Sequence, residues 1–235
     1  MNKRTLAATK YQIWESRTAV ITFYIVLLLI FLANIILNQI ATADDGGAHN
    51  NYDGISFIFL FVAGICTFGQ NLRLYLQCGL SRKQLTVSLL LGLLALSLIM
   101  TVCDFVFHLI ITAAAPLVQG NILPMMGEML YPDTNLLVRL FIHFCALTLF
   151  SYLGLLIAAI FFQIPKKFRW IYCVGLPVGA IALSIRLALS LEGTGITQIF
   201  LTFFGTPLRA IGMFGLITAI LLGISHLLTM RSYLR

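Results

Sequence analysis

The sequence predicts an all-α integral membrane protein with six transmembrane helices, and three observations predict it. Of its 235 residues, 60% are hydrophobic and only 10% are charged, whereas soluble domains carry roughly 25% charge. Several apolar runs reach the roughly 20 helical residues that cross a hydrocarbon layer. The basic residues stand in short groups beside those runs. That placement suits membrane orientation and argues against nucleic-acid binding, despite a formal charge of +7.

Residues 1–17, which include NKRTLAATKYQIWESR, mix Leu6, Ile13 and Trp14 with Lys3, Arg4, Lys10 and Arg17; the pattern suits an amphipathic helix in the membrane interface, before the chain turns inward. A first span follows over 18–41. Ala41-Thr42-Ala43 resembles a signal-peptidase site, but the apolar run before it far exceeds an ordinary signal core, so the helix is expected to be retained. After the polar stretch DDGGAHNNYDG come spans at 55–71 and 85–115, the latter long enough to tilt or protrude. Residues 116–134, rich in proline and glycine, read as a loop. A fourth span covers 136–164 and ends at PKKFR.

The fifth span, 170–191, contains Pro177, which a membrane helix accommodates as a kink. Gly175 and Gly179 on it are spaced for close helix approach, either within the chain or between two chains. EGTGITQIFLTFFGT, residues 192–206, is apolar but short, and is expected as a re-entrant or interfacial hairpin. Pro207 opens the last span, 207–230, at a position where proline costs no helical hydrogen bond. Residues 18–235 thus form one six-helix domain. Cytoplasmic termini place Lys3, Arg4, Lys10, Arg17, Arg73, Arg82, Lys83, Lys166, Lys167, Arg169, Arg231 and Arg235 inside, leaving only Arg139, Arg186 and Arg209 elsewhere.

Several chemistries are excluded or disfavoured. There is no phosphate-binding G-x-x-x-x-G-K-[ST] loop, so the chain cannot hydrolyse ATP itself. It has neither HExxH nor a Gly-x-Ser-x-Gly elbow. The five cysteines show no disulfide framework and no CxxC pair. No internal repeat marks a carrier with inverted halves.

Between the second and third spans lies NLRLYLQCGLSRKQL, residues 71–85. Gly79 permits a sharp bend, Ser81 can cap the following helix, and Arg82 and Lys83 suit headgroups or an acidic partner. A basic loop that only sets topology accounts for the same residues. The segment also resembles the cytoplasmic segment between the second and third helices of ABC-2-type transporter permeases, in particular the small six-helix membrane subunits of Gram-positive bacteria. The overall layout is similar too. The resemblance implies a coupling segment that docks on a separate ATP-binding subunit, with Arg73, Arg82 and Lys83 supplying charge, Leu74, Tyr75 and Leu80 supplying apolar anchors, and Ser81 between them. Tyr11, Trp14, Glu15 and Arg17 would flank that contact. It further implies a non-catalytic permease in the bacterial plasma membrane, paired with a second permease chain and two ATP-binding subunits, ATP and magnesium being bound by those subunits and no cofactor by this chain. The cargo would be an amphipathic peptide or a lipid-like molecule.

Five ionisable residues, Asp104, His108, Arg139, His143 and Arg186, lie in or near apolar spans, where an unpaired charge costs on the order of 2.5–3.5 kcal/mol. They are expected to form an outer-leaflet cluster in which Asp104 pairs with Arg186 or Arg139 and the histidines stand alongside, as a packing element or a substrate contact. Asp104 and His108 share one helix face. With His143 they define the rival reading, an ATP-independent transporter or a membrane-embedded enzyme.

Overall fold

The computed structural model describes residues 3–40, 53–114, 126–165, 167, 169, 172 and 205–231, and no strand occurs among them. The helices are α1 Lys3–Ile40, α2 Asp53–Gln77, α3 Arg82–Ala113, α4 Met126–Leu130, α5 Leu136–Gln163 and α6 Pro207–Arg231. Four stretches are long and apolar enough to cross a membrane: Lys3–Ile36, Lys83–Ala113, Leu136–Gln163 and Pro207–Leu228. The apolar part of α2, Gly54–Gly69, is shorter. Apart from Tyr172, the span expected at 170–191, with Gly175, Gly179 and Arg186, lies outside the described residues, as does the hairpin expected at 192–206 apart from its last two positions.

One boundary differs from expectation. No turn separates an interfacial helix at 1–17 from a span at 18, because residues 3–40 form one unbroken helix, about 57 Å long at 1.5 Å per residue. Neighbours on α3 supply the reason. Ala8 is buried in a cluster with Leu85 and Leu89, and the Thr9 hydroxyl lies 3.5 Å from the Ser88 carbonyl. Leu6 and Trp14 remain exposed on the outer face. A mixed polar and apolar sequence stays straight when its polar side rests on a neighbouring helix instead of on headgroups.

The contacts also give helix directions. Hydrogen bonds from α1 to α3 join residues 79, 76 and 80 positions apart, so these two helices run parallel in nearly constant register. Helices α2 and α5 run parallel as well, with Phe57 beside His143 near one end and Phe68 beside Phe162 near the other. Ala210 and Phe214 pack with Ile142 and Ala146, and Gln163 Nε2 donates to the Leu228 carbonyl at 2.8 Å, so α6 also runs parallel to α5. Helix α5 is central and packs on α2, α3, α4 and α6.

The α2–α3 connection is short because its chemistry is local. Gly79 adopts φ 71°, a left-handed conformation that glycine enters without steric cost. Ser81 then closes a reciprocal cap on α3: its hydroxyl accepts from the Gln84 N–H at 3.4 Å, and Gln84 Oε1 accepts from the Ser81 N–H at 3.2 Å. Such a box satisfies two amides that the first helical turn leaves without partners. This turn, the start of α1, the end of α5 and the end of α6 share one end of the bundle. Lys3, Arg4, Lys10, Lys83, Lys167, Arg169 and Arg231 therefore gather there.

Candidate functional site

Three features stand out: a buried carboxylate node, a charged layer one turn beyond it, and a groove at the basic end. Asp104 is only 4% exposed, yet each of its oxygens is engaged. Oδ1 accepts from Tyr24 Oη of α1 at 2.7 Å and from Ser56 Oγ of α2, also at 2.7 Å. Oδ2 faces His143 Nε2 of α5 at 3.1 Å. One carboxylate on α3 thereby ties together four helices. His143 is wholly buried, its ring edge-on to Phe57, and its Nδ1 has no hydrogen-bond partner.

One turn further from the basic end, α4 is held by its single acid. Glu128 meets Arg139 Nη1 of α5 at 3.2 Å and His108 Nε2 of α3 at 3.6 Å. Arg139 Nη2 also donates to the Pro132 carbonyl. Phe105, Leu109 and Leu140 join these three residues around a small cavity of about 180 Å³. Beside this layer Tyr131 turns inward, and burial pushes its phenol up from the ordinary tyrosine range.

The expected five-residue cluster is therefore two layers. Asp104 pairs with His143, not with Arg139, because Arg139 lies a turn further out, where Glu128 neutralises it. His108 shares a helix face with Asp104 but turns to Glu128. Arg186 falls outside the described residues. Tyr24, Ser56 and Glu128 are partners that sequence reasoning missed. Glu128 was visible as an acid in the loop preceding Arg139; Tyr24 and Ser56 carried no signal beyond a hydroxyl in an apolar run.

At the basic end, the first turns of α1 lie against the α2–α3 turn and leave an open groove of about 530 Å³, lined by Arg4, Ala7, Ala8, Tyr11, Leu74, Cys78 and Leu80. Leu74 is exposed and Leu80 half-buried; Ser81 and Lys83 sit exposed at the adjoining helix start. Glu15 lines a separate, smaller crevice with Ser16, Cys66 and Thr67, and the Arg17 guanidinium stacks over Trp14 at 4.2 Å. Arg73, Tyr75 and Arg82 belong to the helices that frame the turn.

No family model matches the chain, and no curated protein or solved structure is significantly similar to it.

Proposed function

We propose that the chain is the membrane-spanning permease subunit of an ATP-driven exporter of the ABC-2 type, multi-pass in a bacterial plasma membrane with its basic end in the cytoplasm. Hydrolysis would occur on two copies of a separate ATP-binding subunit, which carry the ATP and magnesium. A second permease chain would complete the pathway. The cargo would be an amphipathic peptide or a lipid-like molecule.

The observation that supports this reading most is the composite groove. Tyr11 on the first helix and Leu74 and Leu80 beside the basic turn are far apart in sequence, yet they line one apolar trough next to Lys83 and the capped start of α3. A partner helix with an apolar stripe and acidic flanks would fit it, in the manner of helix-in-groove recognition. Force applied there would act directly on α1, α2 and α3. The parallel course of α5 and α6 adds support, since a six-crossing topology makes its fourth and sixth spans run in the same direction.

The rival enzyme reading needs Asp104, His108 and His143 to converge, but His143 faces Asp104 while His108 faces Glu128. Among the described residues no group of three His, Cys, Asp or Glu side chains is placed to hold a metal.

The test is affinity purification of the tagged full chain from its native host, with identification of what co-purifies. A stoichiometric subunit bearing a phosphate-binding loop is the expected result. Leu80→Arg and Tyr11→Ala should release it while the bundle keeps its helicity and elution volume. Absence of any such ATPase, or its retention by both variants, overturns the proposal.

A further inference from the structure

We infer that Asp104 and His143 together form a proton-binding site, holding one exchangeable proton between Asp104 Oδ2 and His143 Nε2, and that filling or emptying this site changes how α1, α2, α3 and α5 are held together. This goes beyond the permease reading and does not depend on it.

The hydrogen-bond geometry locates the proton. A serine hydroxyl and a tyrosine hydroxyl each have one hydrogen to give. With Ser56 and Tyr24, both 2.7 Å from Oδ1, giving it their hydrogens, Oδ1 accepts twice and carries no proton of its own. The acid position is Oδ2, and what it faces is the second titratable group, His143 Nε2, at 3.1 Å. Three arrangements are then available: carboxylate with imidazolium, carboxylic acid with neutral imidazole, and carboxylate with neutral imidazole. The first two differ only by which atom carries the shared proton and have no net charge. The third has lost that proton to solvent and leaves a single negative charge in the interior.

Among the described residues no fixed positive charge touches the pair. His143 is the one ion-pair partner of Asp104 among the described residues. The other groups that face the pair are the Tyr24 phenol from α1, from α2 the Ser56 hydroxyl and the Phe57 ring, neither of which titrates, and on α3 itself the neighbouring Cys103 thiol, which interacts electrostatically with Asp104. Packed a turn further out are His108 of α3, Glu128 of α4 and Arg139 of α5, where Glu128 pairs with each of the other two. His143 Nδ1 is fully buried without a partner, so no second hydrogen bond on the far side of the ring fixes its tautomer.

The arrangement also supplies a way for the helices to respond. The Tyr24 hydroxyl lies 3.2 Å from the Met100 carbonyl as well as 2.7 Å from Asp104. It can therefore leave the carboxylate for a backbone acceptor on the same helix, so α1 can alter its hold on α3 without exposing an unpaired donor. Proton relays built from Asp, Glu and His are among the functions that intramembrane ionisable residues serve.

The experiment uses the full chain in lipid nanodiscs. Infrared difference spectra between mildly alkaline and mildly acidic buffer, recorded with carboxyl-labelled aspartate and ring-labelled histidine, should show the Asp104 carboxyl and the His143 imidazole changing together, with one midpoint. Proton uptake over the same range should fall by one proton per chain in Asp104→Asn, and by the same single proton, not two, in Asp104→Asn/His143→Gln. His108→Gln should leave the coupled midpoint in place. Spectra of the unmutated chain in which neither group changes, or in which the two change independently, overturn the inference without reference to any variant. Loss of two protons in the double variant does so as well.

Discussion

Gly64 of α2 and Gly154 of α5 are reciprocal: a methyl group on Gly64 would run into the Ser151 carbonyl, and one on Gly154 into the Phe61 carbonyl. The obstacles are backbone atoms one turn from the opposite glycine, so neither helix can yield locally. The crossing brings two backbones close enough for packing contacts, which drive helix association where water is not available to do so.

Gly64→Ala and Gly154→Ala are therefore each expected to destabilise the bundle by about 1–3 kcal/mol, the usual cost of overpacking. Thermal unfolding in detergent reads this out. Gly215→Ala and Gly223→Ala on α6, where an added methyl meets nothing within 4 Å, should leave the midpoint unchanged. Equal sensitivity at all four positions would rule out the crossing as described.

Removing one donor from the carboxylate node should cost less than removing the carboxylate's histidine. Tyr24→Phe and Ser56→Ala each delete one O–H bond to Asp104 and should lower stability by about 0.6–1.7 kcal/mol, the range for interhelical hydrogen bonds in membranes. His143→Leu strands the carboxylate without its ion-pair partner and should lower it by more than either. The same unfolding series decides the order.

At the α1–α3 contact, Gln12 is 2% exposed and neither atom of its amide has a hydrogen-bond partner. The amide presses on Gly92, where an added methyl would meet it. Gln12→Leu should stabilise the chain by about 1 kcal/mol, since an unsatisfied buried amide is costly. Gly92→Ala should be mildly destabilising alone and harmless in Gln12→Ala. A melting-temperature cycle over the four proteins tests this, and a Gly92→Ala penalty that survives Gln12→Ala would exclude the contact.

Orientation is checked by thiol labelling. Cys78 is exposed at the basic end, and Asp133 is exposed at the opposite one. With a membrane-impermeant maleimide, Cys78 should react only after cells are permeabilised, whereas Asp133→Cys should react in intact cells. The reverse pattern would invert the proposed topology.

What could be read in advance was whatever depends on neighbours in sequence. Ser81 followed by Gln84 announced a helix start after Gly79, because a capping box is made within one turn. Helix bounds at 82–113, 136–163 and 207–231 lie within a few residues of those expected from apolar length, and from Pro207 at the last entry. The turn expected near residue 17 is absent because α3, whose place beside α1 no local pattern signals, packs on Ala8, Thr9 and Gln12 there.

Residue identities alone determined that this chain is helical, that four of its described helices can cross a membrane, and that its basic residues collect beside the ends of apolar runs; each of these properties is a sum along the chain. Only the tertiary structure decided that Asp104 meets His143 and not Arg139, that Tyr24 and Ser56 share its other oxygen, and that Tyr11 joins Leu74 and Leu80 in one groove. Those pairings depend on the register between helices, which is set by close contacts such as the Gly64–Gly154 backbone crossing and the Gln12 amide on Gly92. A single glycine in an apolar run does not announce which helix it will touch.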